Sequence, residues 1–600
     1  MARRTHHVNP QEKVKDFKET LKKLIGYIKI YKVAIILTCV FALLATVFSI
    51  IGPDILGNAT TEIFNGLFLK ITGNGSMNFE KIRNTLLILL GLYIFSAACS
   101  FIQNYIMNTI SCKMSYNLRR DISEKMHKLP LSYFEEKTHG EILSRITNDV
   151  DTLSSNLSQT LSQIVSSTAT LIGTLVMMIS ISSSMTLASI LVLPLSIVLM
   201  GLIMGKSQKY FTKQQEDIGN INGIVEEVYG GVEVVKVFNH EQKSIEEFNK
   251  LNDELYDSGW KSQFISTTMH PITIFVGNIN YVLVSIYGGY LVIKEKILVG
   301  DILSFSQYVK NLNNSASNMA QIFSMLQPTV AAAERIFEFL EEKEEIEDVK
   351  NPVSIKDIKS NIEFKNVNFG YNKDKTIIND FSVKVNEGAK IAIVGPTGAG
   401  KTTLVKLLMR FYDVNSGEIL IDGHNIKDFK RSDLRSLFGM VLQDTWLYSG
   451  TIEDNIKYGK LDATLEEVKD ACRASSVHHF IKTLPDTYNM VLNEESDNIS
   501  SGQKQLFTIA RVILADPKIL ILDEATSSVD TRTEILIQNA MDKLMEGRTS
   551  FIIAHRLSTI KNADLILVMD KGDIVELGTH KELLEKDGFY TKLYNSQFEK

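Results

Sequence analysis

Cysteine is scarce in this chain. Cys39, Cys99, Cys112 and Cys472 are scattered, with no Cys-x-x-Cys pair and no histidine cluster beside them. That spacing speaks against a disulfide framework or a zinc site. Three of the four sit in apolar, helical stretches, where packing is their expected role. A charge excess of one sign is also lacking. The formal net charge of −6 over 600 residues argues against a protein built mainly to hold nucleic acid. Arg3 and Arg4 are followed by no apolar core before Val33, so a cleaved signal peptide is not expected.

The most informative absence is local. Thr152–Gly205 and Phe264–Ile293 contain no Asp, Glu, Lys or Arg. A membrane-spanning helix needs roughly 20 mostly apolar residues to cross a core of about 30 Å. Val33–Ile51 and Leu86–Met107 meet that need, as does Ile302–Pro328, interrupted only by Lys310. The longest uncharged stretch has room for two helices, broken near Ser182-Ser183-Ser184. Six spans are therefore expected, at about 33–51, 86–107, 161–181, 185–205, 270–293 and 302–328. From about Lys350 onward charged and apolar residues mix as in a soluble α/β domain. The length itself exceeds one hydrophobic core.

Lysine and arginine set the expected orientation. They crowd the N-terminal segment (Lys13 to Lys32), the segment after the second span (Lys113 to Arg145) and the segment after the fourth (Lys206 to Lys261). The alternate loops carry few. Both termini are thus expected in the cytoplasm, and the two long inner segments are read as helical extensions. Their tips are expected near Leu131-Ser132-Tyr133-Phe134 and Tyr229-Gly230-Gly231, as docking elements for a motor domain. In the sixth span Gln307, Asn311, Asn314, Asn318 and Gln321 share one helical face. Amides in hydrocarbon need partners or water. The stripe reads either as the lining of a water-filled path or as interhelical hydrogen-bonding glue. The glutamates Glu341, Glu342, Glu344, Glu345 and Glu347 that follow read as a solvated charge run.

The second half carries chemistry. The apolar strand Ala389–Val394 runs into Gly395-Pro396-Thr397-Gly398-Ala399-Gly400-Lys401-Thr402, followed by the helical run Leu404–Phe411. This is a phosphate-binding loop in its strand–loop–helix context. Its glycines let backbone N–H groups curl around phosphate oxygens, and the helix N-terminus adds partial positive charge. Lys401 is suited to reach the β- and γ-phosphates, and Thr402 to give a hydroxyl to Mg²⁺. A second apolar run, Ile519–Leu522, ends in Asp523-Glu524. Carboxylates at that end of a parallel strand lie near the phosphate loop. Asp523 is suited to the Mg²⁺ shell, and Glu524 to orienting and deprotonating the attacking water.

Between these motifs lies Asn498-Ile499-Ser500-Ser501-Gly502-Gln503-Lys504-Gln505. With it the chain resembles the ABC transporter family, whose signature usually reads Leu-Ser-Gly-Gly-Gln. Asp523–Asp530 resembles the family's extended Walker B and D-loop. By the same resemblance Gln443 falls at the Q-loop, His555 at the switch histidine, and Tyr371 at the aromatic that stacks on adenine. The membrane half resembles six-helix multidrug and lipid exporters. The resemblance implies two motor domains clamping ATP head to tail. Gly395–Thr402 and Thr403 would lie on one side of each nucleotide. Ser500, Gly502, Gln503 and Asp530 of the other chain would lie opposite. His555 would hold the γ-phosphate in cis, and Gln443 would couple Mg²⁺ to the membrane helices.

One departure stands out: Ser501 replaces the first signature glycine. Beside an intact Lys401, Asp523, Glu524 and His555, it resembles heterodimeric exporters in which one chain donates a weakened signature to a degenerate site; a homodimer that tolerates the serine is the alternative. The expectation is a multidomain protein. Residues 1–32 form a cytoplasmic segment and 33–328 an all-α six-helix membrane domain. A linker at 329–360 precedes an α/β ATP-binding cassette at 361–600. It is expected to use ATP and Mg²⁺ to export lipophilic compounds such as drugs or lipids across the plasma membrane, paired with a second half-transporter and engaging no nucleic acid. Peptide export or an ATP-gated regulatory subunit are the alternatives. Glu524 speaks against the gate, since a gate without turnover needs no base, and the apolar runs speak against a soluble cassette ATPase. Without an N-terminal peptidase-like domain, leader-peptide maturation is not expected.

Overall fold

The computed structural model describes residues 16–73, 77–346, 348–372, 375–442, 445–493, 498–523, 530–554 and 557–598. They form two compact units. One comprises the described residues up to His127 and Lys137–Glu342. The other comprises Lys128–Glu136 and the described residues from Lys343 on.

The first unit is helical. Its elements are α1 (Phe17–Ile28), α2 (Lys32–Ile71), α3 (Phe79–Met126), then α5 (His139–Ser144) after the short α4 (Leu131–Glu136) of the second unit. A π turn at Arg145–Asp149 leads into α6 (Val150–Ile181). There follow α7 (Ser183–Ile190), α8 (Leu193–Gly230), α9 (Val232–Val237), α10 (Glu241–Ile293) and α11 (Val299–Glu341). Helices α2, α3, α6 and α11 pack on one another, and α8 pairs with α10. Among the described residues, four helices are long and apolar enough to cross a membrane, within Phe17–Ile71, Phe79–Met126, His139–Ile181 and Ile274–Ile293.

The helices run well past the expected spans, because hydropathy reports the depth of hydrocarbon and not where a helix ends. Pro53, Pro271 and Pro328 lie inside α2, α10 and α11 and do not end them. The expected single helix at 185–205 is instead two. Pro194 cannot donate an N–H and its ring crowds the carbonyl four residues back, Ile190, where α7 stops. Ser182 caps α7 by accepting from Met185 N–H at 3.4 Å, at the expected break. The expected tips are where the chain turns: Leu131–Phe134 lie in α4, and Gly231 separates α8 from α9.

Around Pro53, α11 supplies hydrogen bonds to the backbone of α2. Tyr308 Oη donates to Ile50 O at 2.9 Å, and Ser304 Oγ to Pro53 O at 2.7 Å. Gly300 N donates to Thr61 Oγ1 at 3.0 Å. The backbones cross so closely here that a Cβ on Gly300 would lie 1.8 Å from Gly57 O.

The second unit is α/β. Strands β1 (Ile362–Phe369), β2 (Ile378–Val385), β4 (Ser416–Ile421) and β5 (His424–Asn425) make an antiparallel sheet of order β2-β1-β4-β5. A six-stranded sheet of order β12-β11-β3-β10-β9-β6 uses β3 (Lys390–Val394), β6 (Phe438–Val441), β9 (Ile519–Asp523), β10 (Thr549–Ile553), β11 (Leu565–Asp570) and β12 (Asp573–Gly578). It is parallel except for β12, and its parallel strands are near-continuous apolar runs covered on both faces. The helices are α12 (Lys401–Leu408), α13 (Arg431–Ser436), α14 (Ile452–Lys457), α15 (Leu465–Ala474), α16 (His478–Thr483), α17 (Ser501–Ala515), α18 (Thr531–Met545), α19 (Leu557–Lys561), α20 (His580–Glu585) and α21 (Phe589–Phe598). The hairpin β7 (Gly450–Thr451) with β8 (Val491–Leu492) completes the unit. Cys472 is buried beneath α15 beside Tyr488. Burial pushes its thiol up to about 12, against the Tyr488 hydrogen bond, so it is an inert packing group.

The glutamate run is not merely solvated. Glu345 accepts from Arg435 at 2.8 Å, and its backbone N–H donates to Lys128 O at 2.9 Å. Glu341 pairs with Lys23 at 2.7 Å within the first unit. Glu347 lies outside the described residues.

Candidate nucleotide-binding site

The site forms at the carboxyl ends of the central parallel strands. β3 ends at Val394, and the chain passes through Gly395–Gly400 into the first turn of α12. Gly400 sits at φ 102°, a conformation open to glycine, and a Cβ there would lie 2.8 Å from Ile378 Cδ1. The loop thereby presents the N-terminus of α12 to the face where Pro396, Thr397, Gly398 and Thr402 are exposed, with Ala399 buried behind. Lys401 Nζ arches over the loop, donating to Gly395 O at 2.6 Å and Pro396 O at 3.1 Å. Burial lowers its pKa, and the charge of Asp523 opposes that shift.

β10 separates β3 from β9, and Ile553 of β10 pairs in register with both Ile393 and Asp523. Asp523 is thus level with the start of the phosphate loop, half-buried at the strand end. Among the described residues no cluster of three His, Cys, Asp or Glu side chains could hold a metal alone. A threonine hydroxyl and one carboxylate are hard oxygen donors that fit Mg²⁺ when phosphates complete the shell.

Tyr371 flanks the loop, 43 % exposed. Its hydroxyl and Thr403 Oγ1 are 3.2 Å apart. Its ring meets Phe369 and Tyr412 edge-on, at centroid distances of 5.1 Å in both cases.

The signature segment opens α17. Ser500 is the N-cap: its Oγ accepts from Gln503 N at 3.4 Å, and Gln503 Oε1 accepts from Ser500 N at 3.0 Å. Ser501 is the first helical residue, exposed, and Gly502 behind it is buried. No positive φ is required at Ser501. The backbone freedom of glycine is therefore not needed at this position, and only the side chain distinguishes serine from glycine. Asp530 caps α18 through Arg532 N–H at 3.1 Å and Thr533 N–H at 3.0 Å. Gln443, Glu524 and His555 lie outside the described residues.

Two features escaped the sequence reading. Glu135 of α4 reaches Lys406 and Tyr412 behind the phosphate loop, a pairing 271 residues apart that no spacing rule signals. In the first unit, a cavity of about 980 Å³ lies between α3 and α6, lined by Ser111, Ser115, Arg119, Asp151, Ser154 and Ser158, among others.

A phosphate-loop ATPase unit joined in one chain to a bundle of membrane-length helices defines an ATP-driven membrane protein. Residues 35–315 match the ABC transporter transmembrane region, and residues 378–527 match the ABC transporter family. A fatty acid ABC transporter ATP-binding/permease protein of Mycobacterium bovis is 42 % identical over 97 % of both chains. An ATP-dependent lipid A-core flippase of Syntrophus aciditrophicus is 35 % identical over 87 % of this chain and 86 % of its own. The solved structure of a bacterial Atm1-family ABC exporter with ATP bound superposes with a TM-score of 0.74 at 27 % identity, covering 96 % of this chain and 99 % of that one. The chain belongs to the ABC transporter family, with membrane and ATP-binding domains fused as in exporter half-transporters. It is an ATPase-coupled, multi-pass membrane transporter.

Proposed function

We propose that this half-transporter exports lipophilic, amphipathic compounds, fatty acids or lipids foremost, from the cytoplasm or inner leaflet by alternating access. The observation that carries the reading is the amide face of α11. Gln307, Asn314, Asn318 and Gln321 are exposed and Asn311 is half-buried, while Phe305, Tyr308, Val309 and Leu312 on the opposite side pack into the core. Amides facing lipid are costly, so this face suits a wetted path between two half-transporters. The Ser- and Arg-lined cavity and the similarity to a fatty acid transporter and a lipid A-core flippase support an amphipathic cargo. Replacing Asn314 and Asn318 with leucine tests the path: transport of a labelled fatty acid into inverted vesicles falls, and unchanged transport refutes it.

In this reading both termini face the cytoplasm, the side of excess Lys and Arg, and the membrane is the plasma membrane. Residues 33–328 form the membrane domain and 361–600 the cassette. Thr402 and Asp523 would hold Mg²⁺, which when bound would supply positive charge to the phosphates, with Gln443 joining those ligands and coupling the site to the membrane helices. Glu524 activates water and His555 holds the γ-phosphate. Gly395–Thr403 cradle the phosphates, Tyr371 stacks on adenine, and Ser500, Gly502, Gln503 and Asp530 face the nucleotide bound by the partner. The partner is a different half-transporter, a reading that rests on the Ser501 side chain projecting where phosphate approaches a signature helix. Full cargo-stimulated ATPase activity from the purified chain alone overturns it in favour of a homodimer.

A further inference from the structure

The segment Lys128–Glu136 belongs to the ATP-binding unit, although the chain on both sides of it belongs to the helical unit. It is tied to that unit by Lys128 O, which accepts from Glu345 N–H at 2.9 Å, and by Glu135. One Glu135 oxygen takes Lys406 Nζ at 2.6 Å and the other takes Tyr412 Oη at 2.5 Å. Both partners also touch Tyr371. Lys406 Nζ sits 5.8 Å from its ring centroid, and Tyr412 meets it edge-on. Lys406 lies on α12, directly behind the phosphate loop, and Thr403 of the same helix meets the Tyr371 hydroxyl. The ring of Tyr371 is therefore braced by the Lys406 ammonium over one face, by the edge-on Tyr412 ring and at its hydroxyl, and 43 % of the residue stays open.

We infer that Glu135 is a positioning residue for the base of the nucleotide: by fixing Lys406 and Tyr412 it holds the Tyr371 ring in its stacking orientation. This rests on the reading of Tyr371 as the adenine platform. The carboxylate reaches that platform only through two intermediaries, so it acts on the base and not on the phosphates. Displacement of the 128–136 segment releases both braces together, which loosens the grip on purine while the phosphate cradle is untouched. The inference places base recognition, and not phosphate recognition, under control of a segment whose sequence neighbours are membrane helices.

The test uses the full-length purified chain and displacement of trinitrophenyl-ATP. One competitor is AMP-PNP, which offers base and phosphates. The other is inorganic tripolyphosphate, which offers phosphates alone. Glu135→Gln and Lys406→Met are expected to weaken AMP-PNP about three- to tenfold, the range of one hydrogen bond's net worth. Tripolyphosphate competition stays within about twofold, and Glu135→Asp restores part of the AMP-PNP loss. Tyr371→Ala is the control: if it leaves AMP-PNP unchanged, the stacking reading itself fails. If Tyr371→Ala weakens AMP-PNP but Glu135→Gln does not, the inference is overturned while the stacking reading stands. Equal weakening of both competitors by Glu135→Gln overturns it as well, since a merely structural loss acts on both.

Discussion

At the scale of single residues, the phosphate loop was the most legible part of the chain. Gly395–Thr402 carry their chemistry in consecutive positions, and the structure gives them the strand before, the helix after and the positive φ at Gly400 that the motif requires. Ser501 was legible as a departure, but its consequence was not. Which backbone angle a residue adopts depends on the cap before it, here Ser500, and Ser501 takes an ordinary helical one. Replacing Ser500 with alanine removes the cap and costs about 1 kcal/mol, read as a lowered thermal midpoint. Ser501→Gly, at the exposed first turn, leaves that midpoint within about 0.5 kcal/mol of the parent. Glu524→Gln is expected to keep ATP binding and to lower turnover by about 10²- to 10⁴-fold, as loss of a general base does. Turnover measured by phosphate release decides this, and an unchanged rate would move the base to another residue.

At the scale of elements, hydropathy found where hydrocarbon is expected but not how far the helices run. The overhangs of α3, α8 and α10 carry ordinary amphipathic sequence. The split between α7 and α8 follows from one proline and one carbonyl. The crossing of α2 and α11 was invisible to spacing, since Gly57 and Gly300 are far apart in sequence. Gly300→Val drives a side chain into the α2 backbone and is expected to cost about 3 kcal/mol or more, read as loss of folded protein after membrane extraction. Gly91→Ala, in open space on α3, is the neutral control.

The α4 contact has a pH signature. Burial opposes ionisation of Glu135, but the hydrogen bonds from Lys406 and Tyr412 outweigh it and hold its carboxyl below the usual range. A depressed folded-state pKa contributes stability that is present above the unfolded value of about 4.3 and lost as pH falls through the folded value. The gap in thermal midpoint between the parent and Glu135→Gln is therefore expected to be constant from about pH 8 to 5 and to close below about pH 4. A gap that closes near neutrality contradicts the assignment.

At the scale of the whole molecule, the fold class was readable because its two halves announce themselves by different means: long charge-free runs in one, ordered phosphate-site motifs in the other. The pairing of Glu135 with Lys406 was not readable, because the 128–136 segment joins the ATP-binding unit across 271 residues of chain. Subunit pairing depends on a second chain and so on chemistry outside this sequence. The central proposal is that ATP hydrolysis drives amphipathic cargo across a bilayer. The chain, with its partner subunit, is reconstituted in inverted vesicles and uptake of a labelled long-chain fatty acid is followed with and without ATP. The account predicts uptake that needs ATP and is abolished by Glu524→Gln. Uptake that proceeds equally without ATP, or is untouched by Glu524→Gln, contradicts it.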